Sequence, residues 1–147
     1  MALEDELDNL RRIALFGVFE TDALRALSFS AETRLLRAGD VLFRKGDASD
    51  GGYILGSGSI ALEADDHAPA PTKIVLPWAL IGETALIAST TRPITAKARE
   101  PSTVLRISRV MFEELLERHP LTAARVRQLF KRRVLEFARE LTTDSRA

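Results

Sequence analysis

Seven of the eight glycines of this chain, at positions 39, 46, 51, 52, 56, 58 and 82, fall in one central stretch, with short apolar runs between them. Glycine marks turns that other residues resist, so this spacing leaves room for short strands and none for a long helix. Val41–Phe43 sits between Gly39-Asp40 and Gly46-Asp47, both natural turn formers. Tyr53–Leu55 and Ile60–Leu62 flank the glycines at 56 and 58 in a hairpin-like pattern. Lys73–Leu76, Ile94–Ala98 and Thr103–Ile107 continue the series, with a polar, proline-bearing loop over 65–72. An all-β sandwich or barrel is expected over about 31–108.

The flanks read differently. Leu3, Leu7, Leu10 and Ala14 recur at helical spacing, and Thr21 is positioned to cap a short helix over 21–27. These form a helical lead-in over about 1–30. After Ser108 the helical period returns, first over Met111–Arg118, stopped by His119-Pro120, then from about Leu121 to Leu141. In the second of these, Phe130, Val134, Phe137 and Leu141 follow the rhythm of a helix seam. Two readings stay open: the helix packs on its own β-domain, or it meets a second copy as a homodimer. Arg118, Arg125, Arg127, Lys131, Arg132 and Arg133 run without an acid among them, which reads as a solvated helix face. The whole, 1–147, is expected to be one domain, with C-terminal helices over 109–147.

Composition removes several function classes. The chain has no cysteine, so thiolate metal sites, disulfides and cysteine nucleophiles are excluded. Two histidines, His67 in a loop and His119 at a helix end, make a histidine metal centre or a β-barrel metalloenzyme a poor fit. Lys and Arg number 21 against 21 Asp and Glu, which lacks the positive bias of a dedicated nucleic-acid binder. No stretch approaches the roughly 18 apolar residues of a membrane span, and the acidic N-terminus is no signal peptide, so a cytoplasmic protein is expected.

Residues 81–98 carry the chemistry. A strand ending at Gly82 leads into a short helix over Glu83–Leu86, and Arg92 follows nine residues after Glu83. Helix-start amides suit an anion, and an arginine strengthens that preference through charge-assisted hydrogen bonds. A carboxylate in the same pocket repels an anion unless it accepts from a neighbouring hydroxyl; a phosphate carried on a sugar supplies both partners. On these residues alone, a structural Glu83–Arg92 ion pair is an equal reading.

This segment resembles the phosphate-binding cassette of the cyclic-nucleotide-binding domain family, roughly Phe-Gly-Glu-Leu-Ala-Leu, a spacer, then Pro-Arg-Ala-Ala-Thr-Val. Gly82, Glu83, Ala85, Leu86, Arg92 and Thr95 fall in register with it. The run over 38–47 resembles the family's Gly-Glu-x-Ile-x-x-x-Gly-Asp, and 53–60 its Tyr-x-Ile-x-x-Gly-x-Val strand. Leu15–Phe19 and Leu24–Leu27 match its helical lead-in, and the similarity covers about residues 10–137. Three positions depart from the pattern: Trp78 stands where glycine is common, Ile81 replaces an aromatic, and Pro93 follows the arginine without an N–H to offer.

The resemblance implies a mainly β fold with flanking helices, a double-stranded β-helix (jelly-roll) barrel ending in a long helix. It implies a stand-alone sensor of cyclic AMP or cyclic GMP that lacks a helix-turn-helix, is no enzyme, uses no metal and acts through a protein partner. The ligand-binding residues it implies are Gly82, Glu83, Thr84, Ala85, Leu86, Arg92 and Pro93. Arg92 would pair with the phosphate oxygens, Glu83 would accept from the ribose 2′-hydroxyl, and amides around Thr84–Leu86 would assist. The purine would lie under the C-terminal helix. The alternatives are a domain of this fold that has lost its ligand and serves as a dimerisation or interaction module, and a DNA-binding regulator using the basic helix.

Overall fold

The computed structural model describes residues 2–64 and 70–146, and side chains over 4–64 and 70–141; His67 lies outside the described residues. Three helices lead in: α1 (Ala2–Arg11), α2 (Ala14–Gly17) and α3 (Thr21–Ser30). The expected stripe ending at Ala14 is broken, because α1 stops at Arg11 and Ile13, not Ala14, turns inward. Thr21 is no cap either. It is the first residue of α3, and its hydroxyl accepts from Arg11 Nη2 at 2.7 Å.

Eight strands follow: β1 (Glu32–Leu36), β2 (Val41–Phe43), β3 (Gly51–Ser57), β4 (Ile60–Glu63), β5 (Lys73–Val75), β6 (Leu80–Ile81), β7 (Thr95–Ala98) and β8 (Ser102–Ser108). The short helix α4 (Thr84–Ile87) separates β6 from β7. The strands form two antiparallel sheets, ordered β1-β8-β3-β6 and β2-β7-β4-β5. This strand order is that of a jelly roll, two four-stranded sheets packed face to face. The fold is mainly β with flanking helices, as the resemblance implies.

One expectation fails here. β3, which runs through Gly56, and β4 stand on either side of Gly58 but do not pair as a hairpin, because the chain leaves one sheet at Gly58 and enters the other. Gly58 has φ +91°, and a Cβ there would lie 2.7 Å from the Pro101 carbonyl oxygen, so the crossing runs hard against the turn before β8.

The β1-β8-β3-β6 sheet divides two apolar cores by simple alternation along its strands. Ile54, Leu105 and Ile107 face the helices and meet Phe16, Phe19, Leu86 and Phe112. Tyr53, Leu55 and Val104 face the other sheet and meet Phe43, Ile60, Val75, Ala96 and Ala98. Two C-terminal helices close the chain: α5 (Arg109–Arg118) and α6 (Pro120–Arg146). Ser108 caps α5, its hydroxyl accepting from the Met111 amide at 3.1 Å. His119 ends α5, its amide donating to the Leu115 carbonyl. The two halves of α6 differ: Thr122, Ala123 and Val126 are buried, whereas Val134, Phe137 and Leu141 are exposed. Of the readings left open for that helix, its first half packs on its own domain. Among the described residues no helix is long and apolar enough to cross a membrane.

Candidate functional site

The segment from β6 to β7 is fixed at both ends by pairing. β6 is held on β3 through Tyr53–Ile81 and Ile54–Leu80, and β7 lies between β2 and β4. The chain reverses at Gly82, with φ +81°. A Cβ there would stand 2.6 Å from Arg92 Nη1, so both the backbone and the arginine demand glycine. The next turn, α4, is anchored by Leu86, fully buried in the helical core. Arg109 ties it down from below, with Nε donating to the Ala85 carbonyl at 3.0 Å and Nη2 to the Ser49 carbonyl at 2.5 Å.

The extended stretch that follows is strapped to the turn before β3. Ser49 Oγ donates to the Thr90 carbonyl at 2.7 Å. The Arg92 amide donates to the Asp47 carbonyl, and the Arg92 carbonyl accepts from the Gly46 amide, each at 2.8 Å. The Arg92 backbone is therefore fixed on both sides, and only its side chain has freedom.

That side chain is 4% exposed. The guanidinium lies 4.3 Å from the Phe43 ring centroid and 5.8 Å from that of Tyr53, within the range of a cation–π interaction. Nη2 donates to the Gly51 carbonyl at 2.7 Å, while Nε is buried with no hydrogen-bond partner. Burial pushes the Arg92 pKa below its ordinary value, and the carboxylates of Asp50 and Asp47 work against that push. The group stays charged at neutral pH. A buried cation with an unsatisfied donor is costly, and an anion brought to it relieves that cost.

A cavity of about 410 Å³ opens beside Arg92, a size suited to a small ligand. Phe43, Leu62, Lys73, Leu76, Arg92 and Pro93 are among the residues that line it. Among the residues singled out from the sequence, Gly82, Arg92 and Pro93 line this cavity, whereas Glu83, Thr84, Ala85 and Leu86 do not. Ala85 and Leu86 are buried in the fold, and their amides already donate to Gly82 and Glu83 carbonyls at 3.1 and 3.0 Å. The expected assistance from those two amides is therefore spent inside the turn. Glu83 turns away from Arg92 and accepts a hydrogen bond from Arg133 of α6, so the Glu83–Arg92 ion pair does not form. The cavity is lined without any residue of α6, so the helix does not roof it in this structure.

Several participants escaped the sequence. Arg133 reads there as one more member of a basic run, and only folding brings it to a carboxylate 50 positions away. Gly51 reads as a turn residue; in the structure a Cβ on it would lie 2.1 Å from the Ile107 carbonyl oxygen, and its own carbonyl receives Arg92. Trp78 occupies its glycine-like position literally, with φ +64°, a conformation costing a bulky residue about 1–3 kcal/mol. It is held by its amide, which donates to the Leu55 carbonyl at 2.8 Å, and by packing against the helical core.

Comparison with known proteins agrees with this geometry. Neuropathy target esterase sws of Drosophila willistoni is 32% identical over 136 residues, which cover 85% of this chain but only 9% of that much longer protein. A solved cyclic nucleotide-binding-like protein from Brucella abortus is 42% identical, with a TM-score of 0.70, over 77% of this chain and 98% of that one. The N-terminal domain of a transcriptional regulator from Streptomyces coelicolor is 26% identical, with a TM-score of 0.83, over 90% and 94% of the two chains. The family model for the cyclic nucleotide-binding domain matches residues 33–119. With the jelly roll and the arginine-bearing cassette both in place, the chain belongs to the cyclic nucleotide-binding domain family.

Proposed function

We propose that this chain is a regulatory sensor that binds a cyclic purine nucleotide in the cavity beside Arg92 and performs no chemistry on it. The observation that carries the reading is Arg92 itself: buried, charged, bordering an open cavity, with one donor left without a partner. A cyclic phosphate supplies the acceptor oxygens, and the apolar wall receives a base. Glu83 accepts from the ribose 2′-hydroxyl only by sharing or releasing Arg133, so binding and the seat of α6 compete for one carboxylate. That competition is the route by which a bound nucleotide shifts the helix, and a cytoplasmic protein partner reads the shift.

The exposed Val134 and Phe137 support a second copy as a neighbour of α6. Light scattering on Val134→Asp with Phe137→Asp tests this: the native chain runs as a dimer and the variant as a monomer, and a dimeric variant refutes it.

Isothermal titration of the native chain with cyclic AMP and cyclic GMP tests the central reading. At least one binds at micromolar strength or tighter, about −8 kcal/mol, and Arg92→Ala loses about 2–5 kcal/mol of it. No heat and no thermal shift at millimolar ligand favours the second reading, an interaction module that has lost its ligand. The engagement of Glu83 by Arg133 is the observation on that side.

A further inference from the structure

Among the described residues, every side chain that lines the cavity is apolar except two, Arg92 and Lys73. Both are hydrogen-bond donors with no accepting atom. The described residues of the cavity thus offer a ligand no side-chain acceptor. Arg92 is committed to the phosphate in the reading above, which leaves the Lys73 ammonium as the one side-chain group among the described lining residues able to hydrogen-bond a base.

Its placement follows from register. On β5, Lys73 stands opposite Leu62 of β4, and two residues on Val75 stands opposite Ile60. Val75 and Ile60 are buried in the core between the sheets. Alternation along a strand puts Lys73 on that same inner side, at the rim. The bland account is that β5 is an edge strand and lysine keeps an edge from pairing with other chains. That account is met by a charge anywhere on the strand, inward or outward; it does not single out the position in register with the cavity lining.

Purines differ at this edge. Adenine carries an amino group at carbon 6, a donor; guanine and hypoxanthine carry a carbonyl there, an acceptor beside the N7 acceptor that all three share. A lysine ammonium bonds to the carbonyl and is opposed by the amino group. We propose that Lys73 makes the site selective for 6-oxopurine cyclic nucleotides, cyclic GMP and cyclic IMP, over cyclic AMP. The proposal rests on the nucleotide reading of the cavity and adds which nucleotide it takes.

Competitive titration of the full chain with cyclic AMP, cyclic GMP and cyclic IMP decides it. Cyclic IMP isolates the carbonyl, because it lacks the 2-amino group of guanine. The native chain binds both oxopurine nucleotides about five- to tenfold more tightly than cyclic AMP, the worth of one charge-assisted hydrogen bond near solvent. Lys73→Met keeps the length and apolar stem, and brings all three ligands within about twofold, chiefly by weakening the two oxopurine nucleotides. Lys73→Glu supplies an acceptor and reverses the order. Both substitutions fall at an exposed edge position, and far-ultraviolet circular dichroism confirms that the variants fold. Cyclic AMP binding as tightly as cyclic IMP in the native chain overturns the proposal and leaves the nucleotide reading standing. Equal weakening of all three by Lys73→Met overturns it too. Binding of none of them overturns the nucleotide reading together with this one.

Discussion

The two faces of the β1-β8-β3-β6 sheet use the same strands for opposite purposes. Its outer face sets Ile54, Leu105 and Ile107 against Phe16, Phe19 and Phe112, where aromatic rings meet edge-on at 5.3 Å and tilted at 6.2 Å. Its inner face sets Tyr53, Leu55 and Val104 against a second sheet that supplies Phe43, Ile60, Val75, Ala96 and Ala98. The outer core packs apolar residues against apolar residues; the inner core sets the rings of Phe43 and Tyr53 against the Arg92 guanidinium, and the cavity opens beside it. Stability and room for a ligand are thus assigned to alternate residues of one strand. A sequence can change one with little cost to the other.

That division is open to direct attack. Phe112→Ala removes a fully buried ring from the outer core and lowers unfolding free energy by about 3–5 kcal/mol in urea denaturation; a loss under 1 kcal/mol would show that the helices contribute little. Leu76→Ala removes a similar apolar bulk from the cavity rim, where the side chain is 63% exposed. It moves stability by less than about 0.5 kcal/mol, yet weakens nucleotide binding measurably in the same titration. A stability loss like that of Phe112→Ala would make the rim part of the core and erase the contrast.

How far the sequence could be read follows the range of the interactions involved. Gly82 and Arg92 were legible because the turn and the strap that hold them are built within a short stretch of chain. The strands at 41–43, 73–75 and 95–98 were legible from glycine spacing and apolar runs. β1 was not, because it is exposed along most of its length and has no apolar alternation to betray it. The exchange of sheets at Gly58 was misread, since a glycine-flanked turn looks alike whether the next strand pairs with the last or departs. Of the two readings of Glu83, the structural ion pair with Arg92 does not form. The choice of Arg133 over Arg92 depends on where a distant helix lands, and Arg92 was already bound to the Gly51 carbonyl. Lys73 carried no motif at all; only the register of β5 on β4 gives it a direction.

Trp78 is the chain's sole tryptophan, and its left-handed backbone stands at the bend between β5 and β6, next in sequence to Ala79 of the cavity lining though not itself part of that lining. Its indole is half-buried, one side on the helical core and the other open to water. The protein therefore carries its own optical gauge. With no second indole to dilute the signal, emission wavelength and quenching report on this one bend, and a ligand that tightens the wall registers there without any label. Strain adds to the sensitivity: a residue held away from its preferred backbone angles answers to small changes in the contacts that hold it. Trp78 is a place from which the site can be watched.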